Sequence, residues 1–189
     1  MLKQDLRKIY LERRRNLTTD EVKAFSERIY QNFIRHFEVR KGAKIHIFQS
    51  IPKFNEVDTS LFINYFFKKG AKVYVPKMNG EQLLAIEITP ETDMAVNSWG
   101  ILEPLSNRDA GVQDYDFVIT PLLYCDAEGN RVGYGKGFYD RLFAGIESES
   151  QKIGVGFFTP QDMVTDLHPG DVPLDYLVTP AEVLSFGNL

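Results

Sequence analysis

Residues 116–147 read DFVITPLLYCDAEGNRVGYGKGFYDRLFAGIE, and the fold turns on this stretch. Residues 116–120 are a short apolar run with β-branched and aromatic side chains that stops at Pro121, the pattern of a buried strand. A helix is expected over about 136–147, so a strand feeds a helix through a glycine-rich connection. The alternation continues on both sides. Upstream, 44–48 and 72–75 read as strands, and between them Asp58-Thr59-Ser60 caps a helix that Gly70 ends. Residues 83–88 form a further strand candidate, 90–114 look mostly irregular, and 153–156 and 176–179 are the last strands. Towards the N-terminus, Leu2, Leu6, Ile9, Tyr10 and Arg13 fall at helical spacing over 2–16. Thr18 with Glu21 then forms a capping-box pattern opening a helix to about Phe37. Strands alternating with helices imply parallel pairing through right-handed crossovers. The expected class is α/β, a mostly parallel sheet with helices on both faces, in one domain spanning 1–189.

Composition narrows the function. A hydrophobic fraction of 43% and a charged fraction of 25% are those of a globular chain with a core of its own. Cys125 is the only cysteine, so no internal disulfide forms. The first residues are charged throughout, unlike a secretory signal, and no apolar run approaches the ~18 residues of a membrane span. A cytoplasmic protein is expected. A net charge of −4 argues against general nucleic-acid binding. Yet Lys3, Arg7, Lys8, Arg13, Arg14 and Arg15 crowd the first fifteen residues. Such a patch suits a small polyanion such as a nucleotide, and is equally the pattern of a solvated helix face.

Gly133, Gly135 and Gly137 alternate with Tyr134 and Lys136. Glycines so spaced admit backbone conformations closed to other residues, and successive amides in such a loop can converge on phosphate oxygens. Lys136 is followed by Gly137 rather than Ser or Thr, so this is no Walker A loop, and the spacing is not that of the dinucleotide fingerprint. A tight connection without a ligand would look similar, but it would not need Arg131, Lys136 and Arg141. At about 100° per residue, Lys3, Arg7 and Arg14 lie within about 40° of one another on a helix, over roughly 16 Å of its axis. That face matches a triphosphate. His36, His46 and His168 lack metal-binding spacing and read as structural or exposed.

The ordered set Lys3-Gln4-Asp5-Leu6-Arg7 with Arg14, Asn55-Glu56-Val57-Asp58-Thr59, Val75-Pro76-Lys77, Trp99-Gly100-Ile101-Leu102-Glu103-Pro104, residues 116–121, residues 131–141 and Asp171-Val172-Pro173-Leu174-Asp175 resembles the 5-formyltetrahydrofolate cyclo-ligase (methenyltetrahydrofolate synthetase) family. The resemblance spans nearly the whole chain. It implies a three-layer architecture similar to the ribose-phosphate isomerase and CoA-transferase group. It also implies conversion of 5-formyltetrahydrofolate to 5,10-methenyltetrahydrofolate, with ATP and Mg²⁺ required and ADP and phosphate released. The N5-formyl oxygen attacks the γ-phosphate, and N10 then closes the ring, so catalysis is mainly positioning and electrostatics.

The residue roles follow from the same resemblance. Lys3, Gln4, Asp5, Leu6, Arg7 and Arg14 would bind ATP together with Arg131, Val132, Gly133, Tyr134, Gly135, Lys136, Gly137, Phe138 and Tyr139. Ile51, Glu56 and Trp99 would meet the folate, bordered by the loop from Tyr134 to Tyr139. Lys136 and Arg141 would be catalytic, and Asp140 and Asp171 would hold Mg²⁺. The expected partner is the small-molecule folate, with no nucleic acid, no membrane and a monomeric chain. Two rivals are a nucleotide- or folate-binding module that has lost catalysis, and an ATP-dependent kinase or ligase acting on another acceptor.

Overall fold

The computed structural model describes residues 1–80, 82–98 and 100–187. Two helices come first, α1 (Lys3–Arg15) and α2 (Thr19–His36). The capping box forms as expected: Thr18 Oγ1 accepts the Glu21 N–H at 3.2 Å, and the Glu21 carboxylate accepts the Thr18 N–H at 2.8 Å. Next come β1 (Lys44–Ile47), a 3₁₀ turn (Pro52–Phe54), α3 (Ser60–Lys68), β2 (Lys72–Asn79) and β3 (Gln82–Ile88). Asp58 Oδ1 accepts the Ser60 N–H at 2.9 Å at the start of α3. A small hairpin, β4 (Met94–Val96) with β5 (Leu102–Pro104), precedes β6 (Phe117–Pro121). A second hairpin, β7 (Tyr124–Cys125) with β8 (Arg131–Val132), leads to α4 (Phe138–Ala144), β9 (Gln151–Val155), β10 (Tyr176–Val178) and β11 (Val183–Ser185).

Seven strands form one sheet in the order β11-β10-β9-β6-β1-β2-β3. The four inner pairings are parallel, and both edge strands, β3 and β11, are antiparallel. The period-two alternation of strand side chains sorts the core into two layers. Ile45, Ile47, Val73, Val75, Phe117, Ile119, Ile153, Val155 and Val178 face α2 and α3. Tyr74, Val118 and Leu177 face the other way, with Phe143 of α4. Phe33 anchors the first layer through ring contacts with Phe37, Phe62, Phe66 and Phe117 at 4.9–6.1 Å between centroids. The result is a three-layer α/β fold. Among the described residues, no helix is long and apolar enough to cross a membrane.

The structure departs from the sequence reading in five places, one being β2, which runs on to Asn79 where a strand over 72–75 was expected. The helix expected from 136 begins only at Phe138, because Gly135 (φ +84°) and Gly137 (φ +66°) are left-handed. It ends at Ala144, before Gly145. Residues 90–114 contain the β4–β5 hairpin, too short to show a period. The β7–β8 hairpin and edge strand β11 were also missed. Helix α1 packs on that second hairpin: Leu6 and Tyr10 meet Leu123, Tyr124 and Val132, with Tyr10 stacked on Tyr124 at 4.1 Å.

The turn of the β7–β8 hairpin is held from inside. The buried Asp126 carboxylate accepts N–H groups from Glu128, Asn130 and Val164 and the Asn130 side-chain amide, at 2.9–3.0 Å. Gly129 in this turn has φ +84°, and a Cβ there would sit 2.8 Å from the Leu174 carbonyl oxygen and 2.9 Å from the Phe186 ring. Gly129→Ala combines left-handed strain with overpacking, and should lower stability by roughly 2–5 kcal/mol in urea unfolding.

Candidate active site

A cleft of about 500 Å³ opens at the carboxyl end of β6, where Pro121 forms part of its wall. The ends of strands in parallel sheets favour ligands in this position. Lys3, Gln4 and Arg7 of α1 line one side, residues 131–140 another, and Asp166, His168 and Asp171 close it. A different cleft, of about 560 Å³, lies at the opposite ends of the strands. Glu38, Asp114, Asp116, Glu147 and Glu149 line that one, a charge pattern that repels phosphates.

Arg7 sets the shape of the glycine loop. Its Nε donates to the Gly133 carbonyl at 2.8 Å. A Cβ on Gly135 would meet Arg7 Cζ at 3.2 Å and Nη2 at 3.3 Å. Glycine is therefore needed at 135 twice, for its left-handed φ and for the close approach of the guanidinium. Because α4 has only seven residues, the positive charge of this cleft comes from its cations and the open loop amides, not from a helix dipole.

The other cations are differently committed. Lys3 Nζ pairs with Asp171 Oδ2, which also accepts the His168 N–H at 2.6 Å. Burial alone would raise the Asp171 carboxyl, but the His168 N–H and the Lys3 ammonium hold it below its usual value. Arg131 donates to the Val172 carbonyl at 2.7 Å and to Asp140 Oδ1 at 2.6 Å, with its guanidinium 4.6 Å from the Phe143 ring centre. Burial lowers the Arg131 pKa, and Asp140 opposes that shift. The Lys136 ammonium takes part in no ion pair among the described residues. It is the uncommitted cation of the cleft wall. Arg141 lies off the lining, where it donates to the Lys136 carbonyl at 3.3 Å and packs on Phe138.

Asp140 and Asp171 line the same cleft, each with one oxygen bound to a cation and the other without a hydrogen bond among the described residues. No group of three or more His, Cys, Asp or Glu residues arranged for a metal occurs among those residues. Two hard oxygen donors fit Mg²⁺ only if phosphates and water complete its shell.

A second cluster forms behind the loop. The nearly buried Glu56 accepts the Ile51 N–H through Oε2 and the Tyr134 O–H through Oε1, both at 2.9 Å. Arg14 Nη2 donates to the Tyr134 hydroxyl oxygen, and Nη1 donates to the Leu122 carbonyl at 3.3 Å. Burial raises the Glu56 pKa, and Arg14, the Ile51 N–H and Tyr134 offset part of the rise. Asn55, left-handed at φ +50°, ties this segment to α1 by donating to the Arg14 and Leu17 carbonyls at 3.1 and 3.0 Å.

The structure thus divides the expected residues. Lys3, Gln4, Arg7 and residues 131–140 meet at one cleft, whereas Arg14 is buried beside Glu56 and does not line it. Leu6 and Val132 are core residues, so only their backbones are available, and Asp5 is exposed outside the lining. Trp99 lies outside the described residues. Pro121, Asp166 and His168 also line the cleft, and residues 157–175 carry no periodic pattern that would place the last two. Lys77 holds the end of the β4–β5 hairpin, donating to the carbonyls of Pro104, Leu105 and Ser106.

The profile of the 5-formyltetrahydrofolate cyclo-ligase family matches residues 1–180. A 5-formyltetrahydrofolate cyclo-ligase of Haemophilus influenzae is 29% identical over 184 residues, covering 94% of this chain and 95% of that protein. The Escherichia coli K12 protein of the same name is 28% identical over 178 residues, covering 91% and 97%. Among solved structures, Aquifex aeolicus 5,10-methenyltetrahydrofolate synthetase matches with a TM-score of 0.79 and 30% identity, over 100% of this chain and 95% of that one. The Mycoplasma pneumoniae 5,10-methenyltetrahydrofolate synthetase matches at 0.73 and 26%, over 95% and 99%. With the match running through both the glycine loop and the Glu56 segment, the chain belongs to the 5-formyltetrahydrofolate cyclo-ligase family.

Proposed function

We propose that this chain uses ATP to cyclise 5-formyltetrahydrofolate to 5,10-methenyltetrahydrofolate, releasing ADP and phosphate. The observation that carries the reading is the glycine-loop cleft, with Lys136 uncommitted on its wall, joined through Tyr134 to the buried acid Glu56.

In this reading the loop amides and Lys136 receive the ATP phosphates, while Arg7 keeps the loop in its receptive shape. Glu56 accepts N–H groups of the pterin ring and fixes the folate beside the cleft. The formyl oxygen attacks the γ-phosphorus, and ADP leaves. N10 then attacks the activated carbon, the C–O bond breaks, and phosphate departs with the formyl oxygen and the N10 proton. Both steps need alignment and charge neutralisation more than a protein nucleophile. The buried thiol of Cys125, with its pKa pushed up by desolvation, is unsuited to that role in any case. Asp140 and Asp171 would hold a Mg²⁺ ion, which supplies positive charge to the phosphates when bound. Arg131 braces Asp140, and Arg141 stiffens the end of the loop next to Lys136.

The direct test mixes protein, 5-formyltetrahydrofolate, ATP and Mg²⁺ and follows methenyltetrahydrofolate absorbance. Product that needs both ATP and Mg²⁺ is expected. Binding of both ligands without product would favour a module that has lost catalysis. Lys136→Ala should raise the KM for ATP about tenfold or more and leave that for folate within a few-fold. Glu56→Gln should do the reverse, and an ATP-side defect alone would contradict its role. Asp140→Asn should lower turnover and shift the Mg²⁺ titration to higher concentration; an unchanged titration would remove it from the metal site.

A further inference from the structure

Arg14 belongs by helical angle to the same face as Lys3 and Arg7, yet its guanidinium has no place in the cleft. The residue is 3% exposed: one terminal nitrogen donates to the Leu122 carbonyl and the other to the Tyr134 hydroxyl, while its buried Nε has no partner among the described residues. A buried guanidinium with no opposing charge is costly, and Glu56 is the opposing charge, one phenol away.

We infer that Arg14 is a positioning residue for the folate rather than a nucleotide ligand: acting through the Tyr134 hydroxyl, it favours the ionised form of the Glu56 carboxylate and fixes it in place. This rests on the reading that Glu56 meets the folate. The direction of each hydrogen bond carries the inference. A guanidinium only donates, so the Tyr134 oxygen accepts from Arg14, and its one proton is directed to Glu56 Oε1. The second oxygen, Oε2, faces the Ile51 N–H. Both carboxylate oxygens therefore meet donors, an arrangement that favours the anion over the protonated acid.

Burial works against the anion and is the larger effect, so the Glu56 pKa stands above its usual value, while Arg14, the Ile51 N–H and Tyr134 pull it back down. The groups facing Glu56 are few. Among the described residues, Arg14 comes from α1, Tyr134 from the glycine loop and Tyr139 from α4, and its own segment adds the Ile51 N–H. Tyr139 is half-buried with its hydroxyl enclosed, and its phenol is pushed up by desolvation first and then by Glu56. Arg14 is the one cation in the set. An ionised carboxylate is the stronger acceptor for folate N–H donors, so the charge on Arg14 should show itself in folate binding and not in ATP binding.

The test has two arms. In the first, the Glu56 carboxyl is titrated by ¹³C NMR in the ligand-free protein, its signal assigned by its loss in Glu56→Gln. Arg14→Gln should raise the midpoint by about one pH unit or more, whereas Arg14→Lys, which keeps the charge, should stay near wild type. Equal midpoints in the Gln and Lys variants would overturn the inference. If Arg14→Gln fails to fold, Tyr134→Phe removes the single linking hydroxyl from a half-exposed ring, and the midpoint should again rise. An unmoved midpoint there would overturn it too. In the second arm, the KM for 5-formyltetrahydrofolate in Arg14→Gln should climb several-fold as pH falls towards 6, with the KM for ATP within twofold of wild type. A defect confined to ATP would return Arg14 to the nucleotide. The NMR arm needs no turnover. A wild-type protein that makes no product would therefore count against the proposed reaction and leave the Arg14–Glu56 link to be judged by its own result.

Discussion

One guanidinium resting against a glycine backbone governs the arrangement of this site. Arg7 bonds the Gly133 carbonyl and lies 3.2 Å from where a Cβ on Gly135 would stand, and with φ +84° there the loop favours glycine at that position. Two left-handed glycines then delay α4 until Phe138 and leave a stretch of irregular backbone between strand and helix. Its amides are available to a ligand because no helix or sheet consumes them. Helix α1 can supply Arg7 because it packs on the β7–β8 hairpin through Leu6 and Tyr10, and the Asp126 carboxylate keeps that hairpin turn closed. A hydrophobic contact, a turn and a close approach thus act in series to shape one cleft.

Charge is distributed around the cleft in a way that suits exchange. Lys3 is paired with Asp171 and Arg131 with Asp140, while Lys136 stays uncommitted. Polyphosphate arriving with a metal ion would give the two carboxylates a new partner and leave Lys3 to the phosphates, so little charge would need to be desolvated without compensation. On the far side of the loop the same economy holds for Arg14 and Glu56, with Tyr134 between them. Tyr134 stands in the glycine loop and touches the buried acid, so the two halves of the proposed substrate site share one side chain.

Much of the fold could be read in advance. The apolar run at 116–120 is the central strand β6, the Thr18–Glu21 pair is a formed capping box, and the helix between β1 and β2 sits where Asp58 caps it. What escaped has physical causes. The hairpins are two or three residues long on each side, below the length at which alternation shows. The β9–β10 connection contains no helix among its described residues, so nothing periodic announced that Asp166 and His168 would border the cleft. Arg14 illustrates a sharper limit. A helical projection gives the angle of a side chain, and the angle was right, but roughly 16 Å along the axis carries it past the cleft to Glu56.

Calorimetric titration of ATP into Arg7→Met tests the account most directly. Methionine keeps the apolar reach of the side chain but loses both the charge and the bond to the Gly133 carbonyl. If Arg7 shapes the phosphate site, ATP affinity falls by about tenfold or more in a protein that remains folded. Wild-type ATP affinity in that variant would show that the loop does not depend on Arg7, and the proposed organisation of the cleft would have to be abandoned.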